Sequence, residues 1–531
     1  MSKPTPSELQ VIRSMSRRRF ITASAAGLAV LAAGMTRLRP ADAAPFRKAR
    51  ATLAHDEVRQ ASSLKPSDFL PETLASNPTI GTTTFESDVI SSPFAFTHVG
   101  LHWSGSGPQL GGVTLELRTS ADGQQWSVWQ ETSVEAPPAA TQVGDTFGSL
   151  AAAPRHRFLR YRALVPVGAS LSKVTTTFIN SKDGAALEAL PLPMEVAHPA
   201  VQHTRSSWGA DESLRLHNSR EIWNRMFVPV KKLVIHHTVS GDFTDSAADV
   251  RAIYYYHAVT LGWGDIGYNF LIGPVFNADG EINGWEVFEG RYGEEGTGFR
   301  RVFNPQVVAG HALAHNYGTC GVAILGNFEV NRLPPDPYAE GGVLDTLLNL
   351  LEVIAGDWGV NPGVSSSFLQ SGGAWTENLS NVCGHRDCTA TLCPGRYLYP
   401  ELPEIRARLA ARLARSAAPK LSGSSGRVAS RQLDYSWSVP RRLQVQYSLE
   451  GWHKEPDSED IEHLTGLQSS GTLNWSPWSS KSSVRFSDLD EGHYTLHLRA
   501  GYPLNYGPDV VTHESNETVY VNRARKVRRK L

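Results

Sequence analysis

The sequence predicts an α/β domain over residues 200–415, flanked by two all-β sandwich domains over 81–185 and 433–523. Three observations predict this. Both flanks carry short alternations of apolar and polar residues, broken by Gly, Pro, Ser and Asp clusters, which is the pattern of antiparallel sandwiches. The middle joins buried-strand patterns to apolar residues at helical spacing. And 531 residues exceed what one hydrophobic core serves, so several domains are expected.

The first 43 residues read as an address. Arg17-Arg18 precede a mild apolar stretch from Ile21 to Met35, and Ala41-Asp42-Ala43 follows as a small-x-small cleavage site. That is the order of a secretory signal, and the paired arginines resemble a twin-arginine export signal. A membrane anchor is the other reading, but the stretch is short and rich in Ala and Gly. Removal of the signal near Ala44 leaves a secreted chain with no stable membrane insertion. No later apolar run reaches the length of about 18 residues that a spanning helix needs. Residues 44–80, polar with scattered Pro, read as a flexible lead-in.

In the first sandwich, alternation runs through residues 97–103, 113–118 and 158–164, with Asp122-Gly123 at a hairpin position. In the middle, residues 232–237 form a short buried-strand pattern. Val250, Ile253, Tyr254, His257 and Leu261 lie at helical spacing, as do Val343, Leu347, Leu350, Leu351 and Ile354, the latter run ending at Gly356. Residues 416–432, rich in Ser, Gly and Ala, read as a linker. Alternation returns at 443–447, 483–486 and 493–500, as in an immunoglobulin- or fibronectin-like sandwich, before a basic tail at 524–531.

The formal charge of −1 conceals a split: residues 1–43 carry +5, residues 523–531 carry +6, and the body between them is at −12. An acidic body excludes a nucleic-acid binder held by phosphate contacts. The basic tail is either simply solvated or a contact to anionic wall polymers.

Two segments carry the chemistry. In Val234-Ile235-His236-His237-Thr238, a histidine at the end of a buried strand can project a nitrogen into a cleft. Neighbouring strand residues face opposite ways, so His236 and His237 do not share one ion. In Cys383-Gly384-His385-Arg386-Asp387-Cys388-Thr389-Ala390-Thr391-Leu392-Cys393-Pro394-Gly395, a loop rich in turn formers can bring His385 and Cys393 to one point. Two His and one Cys suit zinc, whose three protein ligands leave a fourth position open in catalytic sites. Spacing alone leaves alternatives open. A strand histidine can be a packed one, and the cysteines Cys320, Cys383, Cys388 and Cys393 can form disulfides in an exported protein.

The middle domain resembles the peptidoglycan recognition protein / type 2 N-acetylmuramoyl-L-alanine amidase family. The matching pieces stand in the family's order over about 200 of the 531 residues: Arg205-Ser206-Ser207-Trp208-Gly209-Ala210, Val234 to Thr238, Gly262-Trp263-Gly264-Asp265-Ile266-Gly267-Tyr268-Asn269-Phe270-Leu271-Ile272-Gly273, Gly310-His311, His315-Asn316, Gly321 to Phe328, Gly384 to Asp387 and Thr391 to Gly395. The resemblance implies a mixed sheet with flanking helices and a zinc (Zn2+) in an open groove, held by His236, His385 and Cys393. It implies that Tyr268 faces the reacting water and the substrate carbonyl, and that Thr391 occupies a position that is Lys in the phage enzymes. It makes His237, Thr238, His257, His311 and Asn316 groove positions for the muramyl peptides of peptidoglycan; His257 also fits the apolar stripe of its helix.

The implied activity is hydrolysis of the amide between the lactyl group of N-acetylmuramic acid and L-alanine. Tyr268, a groove histidine, and Glu286 or Glu289 are candidates to move the proton. The alternative is a non-catalytic peptidoglycan-binding protein with a structural zinc, closed by Cys388 as fourth ligand. The chain departs from the family by added length around residues 276–303, which bears on the groove's shape, and by lacking the usual disulfide near the domain start. A local pairing of Cys388 with Cys383 or Cys320 is the expected substitute.

Overall fold

The computed structural model describes residues 49–66, 83–132, 134–135, 145–187, 194–196, 200–240, 245–291, 293, 300–302, 307–416, 420–439, 444–454, 461–466, 472–502 and 510–521. The export signal expected at 1–43 and the basic tail at 524–531 lie outside them.

Alternation in the N-terminal region builds a ten-stranded antiparallel sheet. Val99, Leu101 and Trp103 turn inward from one long strand, Ile90–Ser106, and Leu159, Tyr161 and Ala163 from another, Ala151–Val165. The sequence predicts two separate sheets; here all ten strands are linked in one. The two long strands run through it, and their register breaks between Ser91 and Phe96 and again before His98, irregularities that bend a sheet around its core. The reading of 44–80 as a lead-in is corrected for its described part. Leu53–Gln60 is an edge strand paired with Ser170–Asn180. Its sequence, LAHDEVRQ, is almost wholly exposed. It is held by backbone hydrogen bonds, so it leaves no hydrophobic alternation to read.

The middle region holds a five-stranded mixed sheet. Its strands are β1 (Lys232–His237), β2 (Phe270–Phe276), β3 (Ile282–Glu289), β4 (Thr319–Ile324) and β5 (Val382–Gly384), in the order β3-β2-β4-β1-β5. β1 runs parallel to β4 and β5, β2 parallel to β4, and β3 antiparallel to β2. Every residue of β1 is buried, as a central strand covered on both faces requires. The helices of this region include α1 (Ser246–Tyr255), α2 (Val343–Trp358), a single turn α3 (His385–Cys388) and α4 (Leu402–Ser416). Leu233 and Ile235 of β1 pack with α2 and α4. Val234, on the opposite face, packs under Phe368 and Leu379. α2 runs past the expected stop at Gly356 to Gly359, whose φ of 66° ends it in the left-handed conformation.

Phe147, Leu150 and Ile179 of the N-terminal sheet share one core with Val250, Ile253, Tyr254 and Tyr256 of the middle region. Polar contacts cross the same boundary. Tyr256 Oη donates to Gly148 O at 2.6 Å, Arg251 Nε to Ser181 O at 3.0 Å, and His98 Nε2 lies 3.2 Å from Asp249 Oδ1. Gly100 is required here: a Cβ on it would lie 2.3 Å from the Tyr256 ring.

The C-terminal region places a three-stranded and a five-stranded sheet on a core that includes Tyr435, Trp437, Leu496 and Leu498. The expected linker is corrected: Lys420–Gly423 and Gly426–Val428 are strands of these sheets. Small residues there reflect short edge strands rather than flexible chain. Among the described residues no helix is long and apolar enough to cross a membrane.

Candidate metal centre

Because β1 and β5 are parallel neighbours, their C-terminal ends lie side by side, where ligand sites of such sheets form. His236 is near the end of β1, and His385 follows directly after β5. The turn bearing His385 is fixed from both sides: Asp387 accepts from Gly384 N at 2.8 Å and from Tyr399 Oη at 2.6 Å. The loop then returns, with Arg386 N donating to Cys393 O at 2.9 Å and Cys393 N to Thr391 Oγ1 at 3.2 Å. The donor atoms of His236, His385 and Cys393 all lie within 4.8 Å of one another. Cys393 Sγ is 3.7 Å from His236 Nδ1, and His237 N donates to the sulfur at 3.4 Å.

Hydrogen bonding sets the His236 tautomer. Thr319 Oγ1 is 2.6 Å from His315 O. A carbonyl only accepts, so the hydroxyl hydrogen points there, and the hydroxyl oxygen accepts from His311 Nε2 at 3.2 Å. His311 Nδ1 is then bare and accepts from His236 Nε2 at 3.0 Å. This leaves the His236 Nδ1 lone pair facing the sulfur. Gly321 makes room for the relay, since a Cβ there would lie 2.3 Å from the His311 ring.

Burial holds these imidazoles neutral. His236 is pushed well below the ordinary histidine range by burial, with neighbouring imidazoles adding to the shift. Burial also lowers His385 to about 4, and His237, His257 and His311 to about 3. Neutral imidazole is the ligating form. Two such nitrogens and a thiol sulfur at this spacing fit zinc.

A cavity of about 310 Å³ opens beside the cluster, lined by His385, Cys393, Tyr268, His257, His311 and Thr391 among others. The Tyr268 ring centroid is 5.4 Å from that of His236. His257 also lines it: Nδ1 accepts from Gly267 N at 3.0 Å, so the ring's N–H is at Nε2. His237 turns away from His236; its Nδ1 accepts from Phe328 N at 3.0 Å. Thr238 Oγ1 donates to Ser240 O and accepts from Gly326 N. Asn316 Oδ1 accepts from the backbone of His311 and Ala312. These last two side chains brace loops, and neither lines the cavity.

Glu286 pairs with His203, and Glu289 accepts from Arg205 N at 3.0 Å; both lie off the cavity, on the edge strand β3. Within the added segment around 276–303, Ile282–Glu289 widens the sheet at the edge away from β1, while Arg300–Val302 pairs with Met194–Val196 in a separate two-stranded sheet. All four cysteines are free thiols. Cys320 sits in the α2/α4 core and Cys383 beneath Phe368, on opposite faces of the sheet, so the expected pairing of Cys388 with Cys320 is corrected, and so is its pairing with Cys383, which it meets only as a free thiol. Cys388 packs against Cys383 and is not in the three-residue donor cluster. Sequence reasoning missed Thr319 and Trp263 as site residues, and also Val134, which reaches the cavity from the N-terminal sheet. Trp263 stands in the segment Gly262–Gly273 that resembles the family, whereas nothing in the local sequence marks Val134.

No protein-family model matches the chain. It is similar to peptidoglycan recognition protein 1 of Mus musculus, 34% identical over 200 residues that cover 37% of this chain and 82% of that protein. It is also similar to the N-acetylmuramoyl-L-alanine amidase of Homo sapiens, 31% identical over 230 residues, 42% of this chain and 31% of that one. A solved structure of Drosophila PGRP-LB matches 38% of this chain and 91% of its own at 23% identity, with a TM-score of 0.26. The amidase LysC from Clostridium intestinale URNW matches 41% and 98% at 20% identity, with a TM-score of 0.24. On the identity and span shared with the mouse protein, this chain belongs to the peptidoglycan recognition protein family.

Proposed function

We propose that this protein is a secreted, zinc-dependent N-acetylmuramoyl-L-alanine amidase. It hydrolyses the amide between the N-acetylmuramic acid lactyl group and L-alanine of peptidoglycan. The observation that carries the reading is the His236, His385 and Cys393 donor set, gathered within 4.8 Å beside a cavity that Tyr268 also lines. A recognition role with a structural metal would call for a fourth protein donor, and among the described residues the cluster has three.

His236, His385 and Cys393 would hold the zinc, which when bound supplies a Lewis acid that activates water and polarises the amide carbonyl. The chain's own groups do the rest. His311 and Thr319 keep the proton of His236 on Nε2, so Nδ1 stays a donor of electrons. The Tyr268 hydroxyl donates to the carbonyl oxygen as negative charge develops on it. Thr391 accepts from Cys393 N, a bond that leaves its own hydrogen to give. His257 Nε2–H orients the substrate from the cavity wall. The water oxygen bonds to the carbonyl carbon, the carbon–nitrogen bond breaks, and the proton the water gives up passes along the Tyr268 side of the cavity to the alanine nitrogen, leaving a lactyl carboxylate and a free amine.

We assign residues 1–43 to twin-arginine export, the flanking β regions to accessory modules, and the tail at 524–531 to contact with anionic wall polymers. Cys393→Ala tests the central claim. It is expected to lose bound zinc, measured by elemental analysis, and to lose clearing on a peptidoglycan gel. Mass analysis of wild-type digests is expected to show stem peptides beginning at a free L-alanine. Full clearing by Cys393→Ala, or none by the wild type, would overturn the reading.

A further inference from the structure

A second cavity, of about 430 Å³, adjoins the candidate metal centre and is walled by two different parts of the chain. One wall is the N-terminal sheet, with Val128, Trp129 and Gln130 at its rim; the other is the middle region, with Val330, Asn331 and Leu392. His237 and Val239 line both this cavity and the one beside the metal cluster, so the two are arms of one groove. At their junction Val239 holds a φ of 59°. That conformation is costly for a β-branched residue and clusters at ligand sites.

The walls have a consistent chemistry. Val128, Val330 and Leu392 are exposed by 79%, 63% and 55%, and large exposed apolar side chains gathered at one groove mark a binding surface. Trp129 is held by Arg118 and Arg162, each guanidinium 4.4 Å from its ring centroid. The register Glu116↔Arg162 and Arg118↔Arg160 puts these arginines side by side on one sheet face. The rest of the described lining is two alanines, hydroxyls, amides and two carboxylates, Glu131 and the Arg386-paired Glu329, with no Lys or Arg. The lining itself offers no Lys or Arg to pair the free carboxylates of a peptide. An uncharged sugar strand fits: the exposed part of the indole for ring C–H groups, valine and leucine for acetyl methyls, and Gln and Asn for hydroxyls and acetamides.

We infer that this arm is a glycan subsite, built jointly by the N-terminal sheet and the middle region, that takes N-acetylated hexosamine units. The inference extends the amidase reading, because an amide joining a sugar to a peptide needs one arm of the groove for each side. The N-terminal sheet is then part of the substrate site and not a spacer.

The test is a calorimetric titration of the full-length protein with peptide-free N-acetylchitotetraose. Binding is expected, and Trp129→Ala should weaken it about tenfold, equivalent to about 1.4 kcal/mol. Asn331→Ala, an exposed change on the opposite wall, should also weaken it and guards against misfolding of the tryptophan variant. Absence of binding by the wild type, or wild-type affinity in both variants, would overturn the subsite. So would a stem peptide that binds here while the oligosaccharide does not. Lysis without oligosaccharide binding removes the subsite and keeps the amidase, whereas oligosaccharide binding without lysis does the reverse.

Discussion

His236 has two ring nitrogens, and the fold uses both. Nδ1 faces Cys393 Sγ at 3.7 Å, while Nε2 donates into the relay through His311 to Thr319. An imidazole free to choose its tautomer would present an N–H to a metal about as readily as a lone pair. The Thr319 hydroxyl removes that choice two residues away, because its own hydrogen is committed to His315 O. Thr319 is thus a positioning residue. Thr319→Val keeps the shape and deletes the hydroxyl, and it should lower zinc affinity by about 10- to 100-fold, the usual effect of losing such a support. Thr319→Ser should restore it. Competition with a chromophoric chelator reads this without reference to lysis, and unchanged affinity in the valine variant would refute the relay. His311, expected from the resemblance as a groove residue, lines the cavity and also carries this relay.

At the scale of elements, the face of β1 that bears His236 is roofed by a hairpin, Ser365–Leu369 with Trp375–Ser380. Lys232, at the start of β1, is buried, and its ammonium reaches Leu379 O at 2.7 Å, Asn381 Oδ1 at 2.9 Å, and Ser366 Oγ and O at 3.0 and 3.1 Å. One cation thereby ties the strand to its roof. Lys232→Met should leave these buried acceptors short of a donor and destabilise the protein by about 2–4 kcal/mol. Urea unfolding gives the loss, and hydrogen exchange should show the hairpin amides opening first. Nothing in the sequence announced that hairpin, since its strands are short, polar and mostly exposed. The edge strand at Leu53–Gln60 and the strands inside the expected linker escaped for the same reason. β1, by contrast, was legible because burial on both faces forces a continuous apolar run into its two histidines. The metal cluster was legible because His385 and Cys393 share one short loop. The relay was not, because Thr319 meets His311 only after β4 is placed. Helix α2 overran its expected end because Gly356 costs a helix interior only about 1 kcal/mol, less than the packing of the following turn returns.

At the scale of the molecule, the groove exists only while the N-terminal sheet stays docked. Val134 lines the arm beside the metal cluster and Trp129 lines the other, yet both belong to a region whose strands pair with one another and not with the middle region. What fixes that sheet is the shared core of Phe147, Leu150 and Ile179 with the α1 segment, together with buried contacts such as Tyr256 to Gly148. A shared core with satisfied polar groups transmits unfolding, so the two regions should melt in one calorimetric transition. Gly100 offers a wedge. Its missing side chain is the space filled by the Tyr256 ring, 2.3 Å from where a Cβ would stand, and neither residue lines the described groove. Gly100→Leu should therefore push the regions apart at a cost of about 1–3 kcal/mol, typical of overpacking, and split the melt into two transitions. In the same variant the metal cluster should persist, since β1, β5 and the His385–Cys393 loop belong wholly to the middle region. Zinc content should stay at the wild-type level while affinity for N-acetylchitotetraose falls. A single transition with undiminished oligosaccharide affinity would mean that the sheet's docking has no part in building the groove.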